Sequence, residues 1–205
     1  MKSIIVQISG KQGAGKDTTA DGVTKVLESQ EIGVTRHSYA KVLYDMMGVV
    51  LPIMARYKPV PKKDGALLQK IGEWGRANYG EDVWLDIVRQ DIAHVNEVMR
   101  SVNNYDKRIP LAMVHMISDC RFPNEAEGHN GGLVYRLDCP EEVRKARILA
   151  TPGQNWRENT QAESEIALDG YTKFTKVFHT DVESVESIVK QIVGEIHYCL
   201  ANEIH

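Results

Sequence analysis

The chain has 205 residues, 42% hydrophobic and 26% charged, with a net charge of −3, which suits one α/β domain with a small lid insertion and a real core. That charge argues against nucleic acid or a membrane surface as the main partner, and no apolar run approaches the ~20 residues that cross a bilayer. Cys120, Cys139 and Cys199 are widely spaced, and the seven histidines form no His-Glu-x-x-His pair. We therefore expect reduced thiols in a cytoplasmic protein, with no zinc centre.

The chain begins with a predicted strand at 3–8, carrying Ile4, Ile5, Val6 and Ile8, with no signal pattern before it. Residues 10–18 follow as Gly-Lys-Gln-Gly-Ala-Gly-Lys-Asp-Thr, and Ala20, Val23 and Leu27 then recur at helical spacing. A strand, a glycine loop and a helix in that order make a phosphate cradle, because loop N–H groups and the helix N-terminus both face the anion. Gly10, Gln12, Gly13, Ala14, Gly15, Lys16, Asp17 and Thr18 are the expected ATP-binding residues, with Lys16 reaching the β- and γ-phosphates. The position after the lysine, ordinarily Ser or Thr, is Asp17, and a hydroxyl comes one residue later on Thr18. Either Asp17 holds a metal-bound water or Thr18 takes the Mg²⁺ role.

A second strand is predicted at 33–38. From about 40 to 110 the pattern gives two or three helices and no strand, joined by a basic Pro-rich loop at 56–63. Such an insertion suits acceptor binding. Within it Leu67, Ile71 and Trp74 are expected to pack on one side. Gln69, Gly72 and Arg76 fall on one line of the helix, which makes Gln69 and Arg76 acceptor-binding candidates against the plainer reading of an exposed polar stripe. Gly72 and Gly75 each cost a helix interior ~1 kcal/mol against alanine, so a ligand or helix should approach there.

The strand at 112–118 delivers Asp119 to its carboxyl end, where ligands bind in open α/β sheets. Asp119 suits a metal role, and Arg121 a clamp on phosphate. After a strand at 132–138, Asp138-Cys-Pro-Glu141 is expected to cap a helix bearing Arg144 and Arg147 on one face. Residues 150–172 form a polar, Pro- and Gly-containing stretch read as a lid, with Arg157 in it. Arginines reaching in from a lid stabilise a moving phosphoryl group, which makes Lys16, Asp119, Arg144, Arg147 and Arg157 the catalytic candidates. A strand at 175–179 precedes a final helix whose stripe is Val182, Val185, Ile188, Val189, Ile192, Val193 and Ile196. Thr180 and Glu183 would make its capping box. Alternating strands and helices predict a five-stranded parallel sheet covered on both faces.

Gly-Lys-Asp-Thr-Thr at 15–19, Leu-Leu-Gln-Lys-Ile-Gly at 67–72, Asp-Val-Trp at 82–84, Asp-Cys-Arg-Phe-Pro-Asn-Glu at 119–125 and Glu-Ser-Glu-Ile-Ala-Leu at 163–168 stand in this order. The series resembles phage-type deoxynucleoside monophosphate kinases across about residues 3–200. The resemblance implies an adenylate-kinase-like P-loop fold in one domain spanning 1–205. It implies transfer of the γ-phosphate of ATP to a nucleoside or deoxynucleoside monophosphate with Mg²⁺, in a phage-encoded enzyme of the host cytoplasm. It assigns the metal to Asp119 with Asp17 or Thr18, the acceptor to Arg76 and Arg121, and lid roles to Arg144, Arg147 and Arg157. Ser164 and Glu165 fall in the lid-proximal motif, and His179-Thr-Asp181 in the loop that meets adenine. Where relatives often carry a histidine before Ser-Glu, this chain has Gln161-Ala162-Glu163. A homodimer is compatible with the reading. Two alternatives stay open: a P-loop kinase for phosphomevalonate-like or dephospho-CoA-like acceptors, and a nucleotide-binding regulator that transfers nothing.

Overall fold

The computed structural model describes residues 2–60, 64–105, 112–153, 156 and 162–202. Arg157, the end of the basic loop and residues 154, 155 and 157–161 of the expected lid lie outside the described residues. The elements run β1 (Lys2–Gly10), α1 (Lys16–Ser29), β2 (Gly33–His37), α2 (Lys41–Ala55), α3 (Gly65–Tyr79), α4 (Val83–Tyr105), β3 (Ala112–Cys120), α5 (Pro123–Glu127), β4 (Leu133–Asp138), α6 (Glu141–Leu149), α7 (Glu163–Ile166), β5 (Lys176–His179) and α8 (Val185–Asn202). The five strands form one sheet in the order β2-β3-β1-β4-β5, and every pair is parallel. The expected three-layer α/β/α architecture is what the chain adopts.

The alternation of β1 sorts the two cores, since successive side chains point to opposite faces of a strand. Ile4, Val6 and Ile8 join Ala20, Val23 and Leu27 of α1 and Ile188, Ile192 and Ile196 of α8 on one face. Ile5 packs on the other, against a cluster of Trp84, Leu85, Val88 and Ile92 from α4 with Ile117, Ala126 and Leu168. Burial on both faces explains why these strands read as nearly continuous apolar runs.

The insertion between β2 and β3 contains three helices and no strand among the described residues. The packing face of α3 is Leu68, Gly72 and Gly75, one residue out of phase with the expected Leu67, Ile71 and Trp74, and Trp74 is half exposed. Trp84 sets this phase. Its indole Nε1 donates to the Gly72 carbonyl at 3.1 Å. A Cβ on Gly75 would stand 2.1 Å from its ring. Gly75 therefore admits a helix, namely α4, whereas a Cβ on Gly72 would make only ordinary contact, 3.6 Å from Leu43 of α2.

Two expected caps differ. Helix α8 starts at Val185, and its first turn is closed by Ser184, whose Oγ accepts from Ser187 N–H at 3.2 Å. Val182 falls outside the stripe and is 78% exposed. Helix α6 begins after Pro140, its N-cap, with no side-chain cap. Cys120, Cys139 and Cys199 are free thiols, and no helix among the described residues is long and apolar enough to cross a membrane.

Candidate active site

The loop between β1 and α1 turns on left-handed backbone at Gly13 (φ 78°) and Gly15 (φ 94°), which side chains rarely tolerate. At Gly13 space is also exhausted, since a Cβ there would meet the Arg144 carbonyl at 2.8 Å. Gly15 is the N-cap of α1 and has no side-chain cap of its own, so the first amides of that helix are left for another acceptor. Lys16 folds back over the loop, its Nζ donating to the Gly10 carbonyl at 2.7 Å and the Lys11 carbonyl at 3.1 Å. Burial, and then the adjacent Arg121 guanidinium, push its pKa down to about 7, against the opposing pull of Glu165, Asp17 and Asp119.

Strand β3 brings the second group of residues to the loop, because it lies beside β1 and ends at the same edge. Ser118 donates to Asp17 Oδ1 at 2.9 Å. Asp119 is occupied differently. Its carboxylate accepts from Ser38 Oγ at 2.6 Å, Tyr39 N–H at 3.1 Å and Ala40 N–H at 3.0 Å, and so fastens the chain where β2 passes into α2. Arg121 reaches across to the Gly10 carbonyl at 3.3 Å and pairs with Glu165 at 3.0 Å.

A buried carboxylate supports Arg121 from behind. Glu125 Oε2 accepts from the Arg121 and Phe122 amides at 2.7 and 3.1 Å. Burial raises its pKa to about 8, Asp119 adds to that rise, and the two amide hydrogen bonds oppose it. Arg76, from α3, lays its guanidinium 4.3 Å from the centre of the Phe122 ring and stands 3.9 Å from Glu163. The structure thus gathers Lys16, Asp17, Asp119, Arg121 and Arg76 along one edge of the sheet. Gln69 is half-buried one turn before Gly72 on α3, and no hydrogen bond to it is found among the described residues.

The arginines of α6 serve the back of the loop. Arg144 is 5% exposed and donates to the Cys139 and Gln12 carbonyls, both at 3.0 Å. Trp156 lies against its guanidinium. Arg147 binds the Thr180 hydroxyl and carbonyl, and Thr180 in turn donates to the Ala14 carbonyl at 3.2 Å. Thr180 therefore ties β5 to the glycine loop, where the expectation was a helix cap. Arg144 thus holds the Gln12 carbonyl directly, and Arg147 braces the Ala14 carbonyl through Thr180.

Four contributors carried no assigned role in the sequence reading: Ser38, Ser118, Glu125 and Glu165. Only Glu125 has a local signal, standing three residues into a helix that opens with proline. Glu165 Oε2 accepts from the Gln12 amide at 3.3 Å, a partner 153 residues away that no spacing rule reaches.

The residues at this edge fit Mg²⁺, which takes one or two carboxylates plus substrate phosphates more often than an all-protein cage. Asp17 is exposed and carries a single donor, Ser118, among the described residues. Thr18 is exposed beside it. No group of three or more His, Cys, Asp or Glu that would form a protein-only metal site exists among the described residues.

Sheet order, parallel pairing and glycine loop together define an α/β domain of P-loop architecture. No protein-family model matches the chain, and no curated protein matches it. Among solved structures it is similar to a sugar kinase from Janibacter sp. HTCC2649 at 17% identity, over 98% of this chain and 97% of that one, with a TM-score of 0.48. It is similar to shikimate kinase from Bacteroides thetaiotaomicron at 16% identity, over 95% and 98%, with a TM-score of 0.46. The Deinococcus radiodurans tunicamycin resistance protein is similar at 17% identity, over 95% and 96%, with a TM-score of 0.49.

Proposed function

We propose that the chain is an ATP-dependent phosphotransferase whose acceptor is a nucleoside or deoxynucleoside monophosphate, yielding the diphosphate and ADP. One observation carries this reading. A cradle of backbone amides and Lys16 lies against the Arg121 guanidinium at the end of β3, and Arg76 from the helical insertion packs on the ring of Phe122, the residue after Arg121. Phosphoryl transfer asks for little more than this, since catalysis is positioning plus electrostatic stabilisation of charge spread over the moving group.

In this reading the glycine loop binds the donor phosphates. Lys16, whose pKa burial and Arg121 lower to about 7, is held protonated by them. Arg121 sits between donor and acceptor and takes one phosphate oxygen from each side, its backbone fixed by Glu125. Arg76 meets the acceptor phosphate. The aromatic ring of Phe122 beside Arg76 supports an acceptor that carries a base to stack. Asp17, with Asp119 or Thr18, would hold Mg²⁺, which neutralises phosphate charge when bound. Arg144 and Arg147 act through the loop they brace, as positioning residues. Arg157 is assigned to the lid.

The test is release of ADP from ATP and Mg²⁺ with each ribo- and deoxyribonucleoside monophosphate in turn, beside phosphomevalonate and dephospho-CoA. Turnover with one or more monophosphates, abolished by Lys16→Ala, is the expected result. Binding of ATP with no turnover on any monophosphate overturns the acceptor assignment.

A further inference from the structure

The segment just before β5 lays two carboxylates on cations of the site and a third on Lys11 and Arg136. Glu163 stands 3.9 Å from Arg76. Glu165 takes Arg121 at 3.0 Å with one oxygen and the Gln12 amide at 3.3 Å with the other. Asp169 takes Lys11 at 2.7 Å and Arg136 at 2.9 Å. Leu168, 2% exposed, anchors the segment in the α4-side core.

The position of Glu165 is the informative one. The Gln12 amide belongs to the glycine loop, one residue before the left-handed Gly13, and loops of this kind present their N–H groups to anions. Here the anion it receives is a side chain of the same protein. Arg121, the guanidinium best placed to bridge two phosphates, is engaged by the same carboxylate. A carboxylate that accepts at once from a cradle amide and from the facing arginine stands where a phosphate would.

The geometry points to residues 163–169 as an acidic strap: Glu165 holds the phosphate seat of the glycine loop, and a nucleoside triphosphate binds by displacing it. This rests on the phosphate-cradle reading proposed above. The exchange is electrostatically balanced. Arg121, Lys11 and Arg76 stand beside side-chain carboxylates here and would face a ligand of several negative charges once the strap is displaced. Charges clustered this closely would otherwise favour inorganic anions and product indiscriminately. The strap sets a threshold that a polyphosphate passes and a single weak anion does not. An affinity reduced by the fraction of molecules with the strap open is the cost.

Calorimetric titration of the full chain with ATP, and separately with tripolyphosphate, tests this in wild type and Glu165→Gln. Glutamine keeps the size and loses the charge, so both ligands are expected to bind on the order of tenfold more tightly. In the wild type, hydrogen exchange at amides 162–169 is expected to speed up when ATP is added. Equal or weaker binding by the variant, or protection of the strap by ATP, overturns the strap and makes Glu165 a fixed support of Arg121. Wild type that binds neither ATP nor tripolyphosphate overturns the cradle reading, and the strap with it.

Discussion

Ser38 Oγ lies 2.6 Å from Asp119 Oδ2, so the carboxylate at the end of β3 is an anchor for the start of the helical insertion before it is anything else. Two neighbouring backbone amides, of Tyr39 and Ala40, point at the same group. The carboxylate thus joins the sheet edge that carries the glycine loop to α2, the first helix of the insertion. A group in this position senses both halves of the site.

From this follows a separation of two variants. Ser38→Ala removes one charge-assisted hydrogen bond and leaves two amide donors in place, which costs about 1.5 kcal/mol or less of stability. Asp119→Asn turns an acceptor into a donor opposite N–H groups and should cost about 2–3 kcal/mol. Denaturant unfolding gives both numbers. If Asp119 also serves Mg²⁺ in the reaction, Asp119→Asn lowers turnover at least a hundredfold at temperatures where it is folded, while Ser38→Ala stays within about tenfold of wild type. Equal losses in the two variants would confine Asp119 to its anchoring role.

Lys16 supplies a second expectation. Its pKa of about 7 comes first from desolvation and then from Arg121. Phosphate favours the charged form, so at pH 8 binding must bring a proton in with the ligand, ~0.9 per site. At pH 6 the lysine is already charged and uptake through it nearly vanishes. Calorimetry of ATP binding in buffers of different ionisation enthalpy reads this directly. Uptake that does not grow between pH 6 and pH 8 would show that Lys16 is charged throughout.

The sheet, its edge and the glycine loop were legible because their signals are local. Apolar runs of β1 and β3, the glycines at 13 and 15 and the lysine that follows all sit within one strand-loop-helix unit or its neighbour. The phase of α3 was not legible. Leu67, Ile71 and Trp74 make as good a stripe as Leu68, Gly72 and Gly75, and the choice is made by Trp84 of another helix. The same holds for Arg144 and Arg147. Their spacing told correctly that they share a face. That this face meets the carbonyls of Gln12 and Thr180 depends on how the loop folds back.

Gly75 makes the tertiary argument testable. A methyl group there would stand within 3 Å of several Trp84 ring atoms, and neither backbone has room to part without opening the contact between α3 and α4. Gly75→Ala gains ~1 kcal/mol of helix propensity and loses more through overpacking, so a net loss of about 1–2 kcal/mol is expected in thermal or denaturant unfolding. Because Arg76 follows directly, the Michaelis constant for the acceptor should rise while that for ATP stays near wild type. A stabilised variant would mean that Trp84 moves freely, and the site would then be less rigid than its packing indicates.

Glu125 gives the pH dependence with the clearest sign. Burial lifts its pKa from the ordinary 4.5 to about 8 in the folded chain. Below pH 4.5 the group is protonated in both folded and unfolded chains. As pH rises from 4.5 to 8 the unfolded chain gives up this proton and the folded chain keeps it, so this residue's contribution to stability is lost across that window. Glu125→Gln keeps an oxygen for the Arg121 and Phe122 amides and has no proton to lose. The difference in stability between variant and wild type should therefore move in the variant's favour from pH 5 to pH 8, at up to ~1.4 kcal/mol per pH unit. Taking the difference removes Lys16 and the buried histidines, which titrate alike in both proteins. Parallel profiles would mean that the two amide hydrogen bonds outweigh burial and that Glu125 is ionised in the folded chain. In that case a fixed negative charge stands directly behind Arg121, and the guanidinium would be held by charge as well as by its backbone.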